Sequence, residues 1–237
     1  MKHQRITGTL FVPGTCQTLT QAVNKVHGGC CLTPIVVGQG EHQIGEYLKI
    51  SSATNIVGDP RVAKEKIVVV GGVLFIKGIH GNCHLQHLTL RSKGSGVFGR
   101  SSFTMADVVV EQCGHYGVSA VGTGVVGRCT NLEVRQCGGS GVVAMNGGSI
   151  TLTGAKTTVH HNCARGSSDD YGLKVYGSSS STIQLVSPLT KEQVALDNGG
   201  GGNWGVEANG ADINQIQTIA AVVTPANETQ ANSSDNE

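Results

Sequence analysis

A chain of 237 residues with 17 Lys+Arg against 16 Asp+Glu is long enough for one large domain or two small ones, and its balanced charge supplies no basic field for nucleic acid and no acidic field for cations. Gly at 35 residues, frequent Val, Ile and Thr, and only 5 Pro exclude a mainly helical protein and point to many strands and tight turns. Aromatic residues at 4% leave little for a base-stacking platform or an aromatic sugar groove.

The opening MKHQRITGTLFVPG lacks the roughly 7–15-residue apolar run of a signal peptide, and no stretch approaches the roughly 18 apolar residues of a membrane span. The expectation is a soluble chain without a membrane partner, intracellular if complete. In CQTLTQAVNKVHGG, Leu19, Ala22, Val23 and Val26 follow i, i+3, i+4, i+7, and Thr18 with Gln21 can close a capping box. Residues 1–33 therefore read as an N-terminal strand followed by a short amphipathic helix that covers the end of whatever follows.

Strands are predicted at 35–37, 47–50, 54–57, 67–70 and 73–76. A repeat comes next. VVVEQCGHYGV (108–118) returns as LEVRQCGGSGV (132–142). The landmarks Gly96-Val97, Gly117-Val118, Gly141-Val142, Gly172-Leu173 and Gly205-Val206 step by 21, 24, 31 and 33 residues. Leu88/Leu90, Val108/Val110, Leu132/Val134 and Thr157/Val159 alternate with polar positions at period 2, the pattern of a half-buried strand read repeatedly. Leucine-rich repeats lack their motif here, and propeller blades need about 40 residues each. A single-stranded right-handed parallel β-helix over 34–220 fits, with longer turns at 164–171 and 197–204.

In such a stack, equivalent residues lie roughly 4.7–4.9 Å apart. Arg91, Glu111, Arg135 and His160 fall in one outward column, the first three alternating in sign, which reads as a solvent-facing charge ladder worth tenths of a kcal/mol per pair. Cys113 and Cys137 share a turn position, with Asn162 or Cys163 next. His87, Asp107, Asn131 and Lys156 share another, where Asp and Asn tolerate φ > 0. The Gly before each Val is expected to serve the same end. The eight cysteines form no C-x-x-C pair, and most read as small buried side chains. Downstream, Trp204 reads either as a plug at the C-terminal end of the core or as an exposed contact residue. The stretch 221–237 reads as a disordered polar tail, with sequons at Asn227 and Asn232.

These features resemble the right-handed parallel β-helix proteins of the pectate-lyase-like superfamily. FVPGTCQTLTQAV with IVVGQGEHQIGEYLKI is similar to their leading coil, and VxQCGxxGV to their repeats; the likeness covers roughly residues 6–220. It implies the fold first, since the superfamily hosts lyases, hydrolases, esterases and epimerases acting on polysaccharides as well as non-catalytic members. None of the catalytic patterns of those enzymes is complete here: the calcium-binding Asp cluster is missing, no His follows His161, and Asp59-Pro60 continues as Arg61-Val62. The resulting expectation is a non-catalytic scaffold or binding module whose lateral face, Arg91, Glu111, Glu133, Arg135 and His160 with Thr89 beside them, takes a protein or polysaccharide partner without cofactor or metal. The alternative is a carbohydrate-active enzyme. Asp169, Asp170, Tyr171 and Lys174 form a weaker candidate group, the two aspartates reading mainly as a solvated loop. His80, His84 and His87, close in sequence, lack metal-site spacing.

Overall fold

A computed structural model describes residues 8–27, 33–207 and 211–221. Among these, all 19 strands pair in parallel within one continuous sheet. The sheet winds nearly round an axis, so the fold is an all-β parallel β-helix with a short helix near the N-terminus.

Three faces result. The first runs from Leu10–Val12 through Ile35–Val37 and Thr54–Gly58 to the leading halves of Cys83–Arg91 and Phe103–Glu111, then Val126–Thr130, Ser149–Thr153, Thr182–Val186 and Ile216–Ile219. The second takes the leading halves of Gly40–Ile50 and Ile67–Phe75, the trailing halves of Cys83–Arg91 and Phe103–Glu111, then Glu133–Arg135, Thr158–His160 and Ala195–Leu196. The third takes the trailing halves of Gly40–Ile50 and Ile67–Phe75, then Val97–Gly99, Val118–Val121, Val142–Met145, Leu173–Tyr176 and Trp204–Glu207. The strand at 40–43 went unpredicted because GEHQ carries no apolar alternation.

Period-2 alternation puts one apolar column from each face into the axis. On the second face Val69, Leu90, Val110, Val134 and Val159 stack in register, each buried. Val110 lies directly opposite Val134, as the repeat predicted. Phe75 and Phe103 stack at 5.3 Å between centroids.

Corners need two kinds of residue. His87, Asp107 and Asn131 adopt φ of 50–53°, the left-handed region expected for their column, but Lys156 does not. Gln112, Gln136, His161 and Asp197 form a second such column, one residue after the second face ends. The landmark glycines act differently from expectation. They do not have positive φ. A Cβ on Gly117 would meet Val134 Cγ1 at 2.3 Å and Gly141 O at 2.6 Å, and one on Gly96 would meet Val110 Cγ1 at 2.5 Å. Close packing against the next coil excludes a side chain there.

Asn162, rather than Cys163, continues the Cys113–Cys137 column. Asn162 Oδ1 accepts from Cys137 N and its Nδ2 donates to Val134 O, while Asn198 repeats the pattern one coil on. The six described cysteines are free and buried; Cys30 and Cys31 lie outside the described residues. So do 222–237, with the sequons and nearly all of the expected tail. The helix α1 (Leu19–His27) buries Leu19, Ala22, Val23 and Val26, and its Thr18–Gln21 capping box is closed by two hydrogen bonds. Both expected excursions leave the sheet, the second over 197–203, since Trp204 already opens a strand and packs partly buried against the core.

One overlying turn was not foreseen. Val68, Thr89 and Val109 point outward on the second face yet are buried. The 3-10 turn Lys64–Lys66 and its lead-in cross over them, and Thr89 Oγ1 donates to Lys64 O at 3.0 Å.

Candidate lateral binding face

The outward column of the second face assembles Arg91, Glu111, Arg135 and His160 on four consecutive coils. Arg91 Nε donates to Glu111 Oε1 at 2.8 Å, and Arg135 donates to Oε2 through Nε at 2.8 Å and Nη2 at 2.6 Å. Arg135 Nη1 also reaches Glu133 Oε1 at 2.7 Å, and His160 Nε2 lies 3.4 Å from the same oxygen. The five predicted residues thus form one hydrogen-bonded array. The expectation of a fully solvated ladder is corrected at one point: Glu111 is 4% exposed, roofed by two guanidinium groups. Burial opposes its ionisation, but the hydrogen bonds from Arg135 and Arg91 outweigh that and hold its pKa below the ordinary glutamate value.

A groove of about 390 Å³ adjoins this array at Glu133 and runs along the corner between the first and second faces. Lys64, Glu65, His87, Asp107, Asn131 and Lys156 line it. His87 Nδ1 lies 2.7 Å from Asp107 Oδ2, and Nε2 lies 2.8 Å from Val62 O. A carboxylate and a carbonyl both accept, so this pair of partners favours the imidazolium, which donates from both ring nitrogens. Burial pulls its pKa down, but the hydrogen bonds to Asp107 and Val62 prevail and raise it above the usual histidine value. Lys64 Nζ adds a 2.6 Å contact to Asp107 Oδ1. Sequence reasoning placed His87, Asp107, Asn131 and Lys156 at one corner but missed Lys64 and Glu65, whose approach depends on the overlying turn.

The second candidate group also comes together, as an anchor for the 164–171 loop. Lys174 is 4% exposed. Its ammonium contacts Asp169 O and the Glu207 carboxylate and lies 4.0 Å from Asp170 Oδ1. Asp170 Oδ1 accepts from Ser140 Oγ at 2.8 Å, and Tyr171 N donates to that same hydroxyl at 3.1 Å. Asp169 is exposed. Elsewhere, His84 faces outward against Thr104 and Gln86, and His80 is exposed on a turn. Among the described residues, no three His, Cys, Asp or Glu side chains stand close enough together to hold a metal, and no helix is long and apolar enough to cross a membrane.

The chain matches no family model, no curated protein and no solved structure.

Proposed function

We propose that this chain is a binding module whose second face and adjoining corner groove take a polysaccharide. The observation that supports this reading is the arrangement itself. An array of Arg91, Glu111, Arg135, Glu133 and His160 stands beside a groove of about 390 Å³ lined by acceptors (Glu65, Glu133) and donors (Asn131, Lys156). Cations and anions nearly cancel along it. Such a surface suits a ligand that offers donors and acceptors in equal measure, as a hydroxyl-rich chain does. The resemblance to pectate-lyase-like proteins adds weight to a glycan. A protein partner fits the same face through Leu196, 43% exposed at the end of the charged column.

The test is calorimetric titration with neutral and acidic oligosaccharides. Lys156→Ala and Glu65→Ala, both exposed in the groove, are expected to weaken binding about tenfold each, the loss of one charge-assisted hydrogen bond. Unchanged affinity in both variants removes the groove from the reading. A second reading, a carbohydrate-active enzyme, draws on the convergence of Glu65, Asp107, Glu133 and Lys156 on one groove. It predicts new reducing or unsaturated ends on pectin or alginate, lost in Glu133→Gln.

A further inference from the structure

The corner between the third and first faces carries cations without matching anions. The turns that follow Ile67–Phe75, Val97–Gly99, Val118–Val121 and Val142–Met145 come together there around a cavity of about 560 Å³, lined in part by Lys77, Ile79, Arg100, Thr123 and Asn146. No carboxylate lines it. Lys77 and Arg100 are exposed, and neither makes an ion pair with any described residue. Cations in the other clusters are matched: Lys64 by Asp107, Arg91 and Arg135 by Glu111, Lys174 by Glu207.

The frame around these two cations is braced. Ser101 Oγ donates to Ile76 O at 2.6 Å and accepts from Ile79 N at 3.1 Å. Ser102 Oγ accepts from Val126 N at 3.0 Å, tying one turn to the next coil. Gly124, one of the lining residues, has positive φ and a Cβ there would meet nothing within 4 Å.

A second observation points to the rest of the ligand. Arg100 also lines a neighbouring cavity of about 230 Å³ with Tyr47, Leu74 and Phe98. Leu74 and Phe98 are outward positions of the third face and remain partly exposed. Further along the same outward column Val143 and Lys174 are buried, beside the 164–171 loop. An apolar shelf that stays open therefore abuts a cationic recess, with one arginine common to both.

We propose that this corner binds a small amphipathic anion, its flat apolar body on the Tyr47–Leu74–Phe98 shelf and its phosphate, sulfate or carboxylate group between Arg100 and Lys77. A guanidinium offers paired N–H donors to such an oxyanion, Phe98 offers a partly exposed aromatic ring to an apolar body, and the cationic recess of about 560 Å³ falls within the range of small-molecule sites, with the smaller shelf cavity adjoining it. The site lies on a different corner from the polysaccharide groove and stands or falls separately.

The test is calorimetric titration of the full chain with 2-naphthyl phosphate and naphthalene-2-sulfonate, beside inorganic phosphate and uncharged 2-naphthol, with amide NMR shifts mapped in parallel. Saturable binding of both aromatic anions is expected, at least about tenfold tighter than either half alone. Shifts are expected at Lys77, Phe98 and Arg100. Arg100→Gln should weaken the aromatic anions about tenfold, one charge-assisted contact, and Phe98→Ala should weaken them too. Lys66→Gln, exposed on the turn over the second face, should leave them unchanged. A thermal midpoint equal to the parent chain checks that the Arg100→Gln variant is folded. Unchanged affinity in a folded Arg100→Gln, equal binding of 2-naphthol, or absence of saturable binding overturns the proposal.

Discussion

Glu111 is a carboxylate held where burial opposes its charge and two arginines favour it. The alternating signs at 91, 111 and 135 were legible in the repeat. The burial was not, because it arises from the arginine side chains lying over the carboxylate. Glu111→Gln keeps the shape but gives up charge-assisted hydrogen bonds, and should destabilise the fold by about 1–3 kcal/mol in urea unfolding. Since the folded pKa is depressed, this stability is present above the ordinary glutamate pKa and is lost as pH falls through the folded value. His87 runs the other way. Its folded pKa is raised, so its contribution is complete below the ordinary value of 6.5 and is lost as pH rises through the folded one. The difference in unfolding free energy between the parent and His87→Asn, which tolerates the left-handed corner, should shrink from pH 6 to pH 9. Gly117 shows a reading that was right in place and wrong in cause: Gly117→Ala should cost about 1–3 kcal/mol or more from collision with Val134 and Gly141 rather than from backbone strain.

Among the elements, α1 was the most legible, because a 3.6-residue period and a capping box are local signals. Its value is tertiary: Leu19, Ala22, Val23 and Val26 cover a coil end that otherwise exposes core and strand edge. Thr18→Ala should lower stability by about 0.5–2 kcal/mol, read as a fall in thermal midpoint. Val23→Asp should drive the chain into aggregates detectable by light scattering. The turn at 59–66 was invisible for a physical reason. Alternation describes a strand and its two faces but says nothing of a segment that returns to lie on top. VVV at 108–110 and IVVV at 67–70 broke the alternation, and those breaks mark where Lys64–Lys66 crosses. The asparagine positions were half legible: the column was found, but the choice between Asn162 and Cys163 depended on which side chain reaches the neighbouring backbone.

At the scale of the whole molecule, each coil touches mainly the coils before and after it, so stability is close to a sum of neighbour terms. Hydrogen exchange should be slowest at Val110, Val134 and Val142 and should quicken towards Ala195–Leu196 and Ile216–Ile219; uniform protection along the axis would contradict this. The same architecture explains why the fold could be read from one sequence and the ligand could not. The stack demands the same residue type every coil, which leaves a periodic trace that even the corner column at 87, 107, 131 and 156 follows, whereas Lys64 and Glu65, which complete its groove, answer to no period. The roof over Val68, Thr89 and Val109 has a bearing on how such a protein can change. Adding a crossing turn lets the strands beneath trade polar side chains for valine, and once they have done so the addition works as a ratchet. Excising 60–65 would leave a greasy window rather than restore a plainer coil, and only polar replacements at 68 and 109 made together with the excision would reopen the way back.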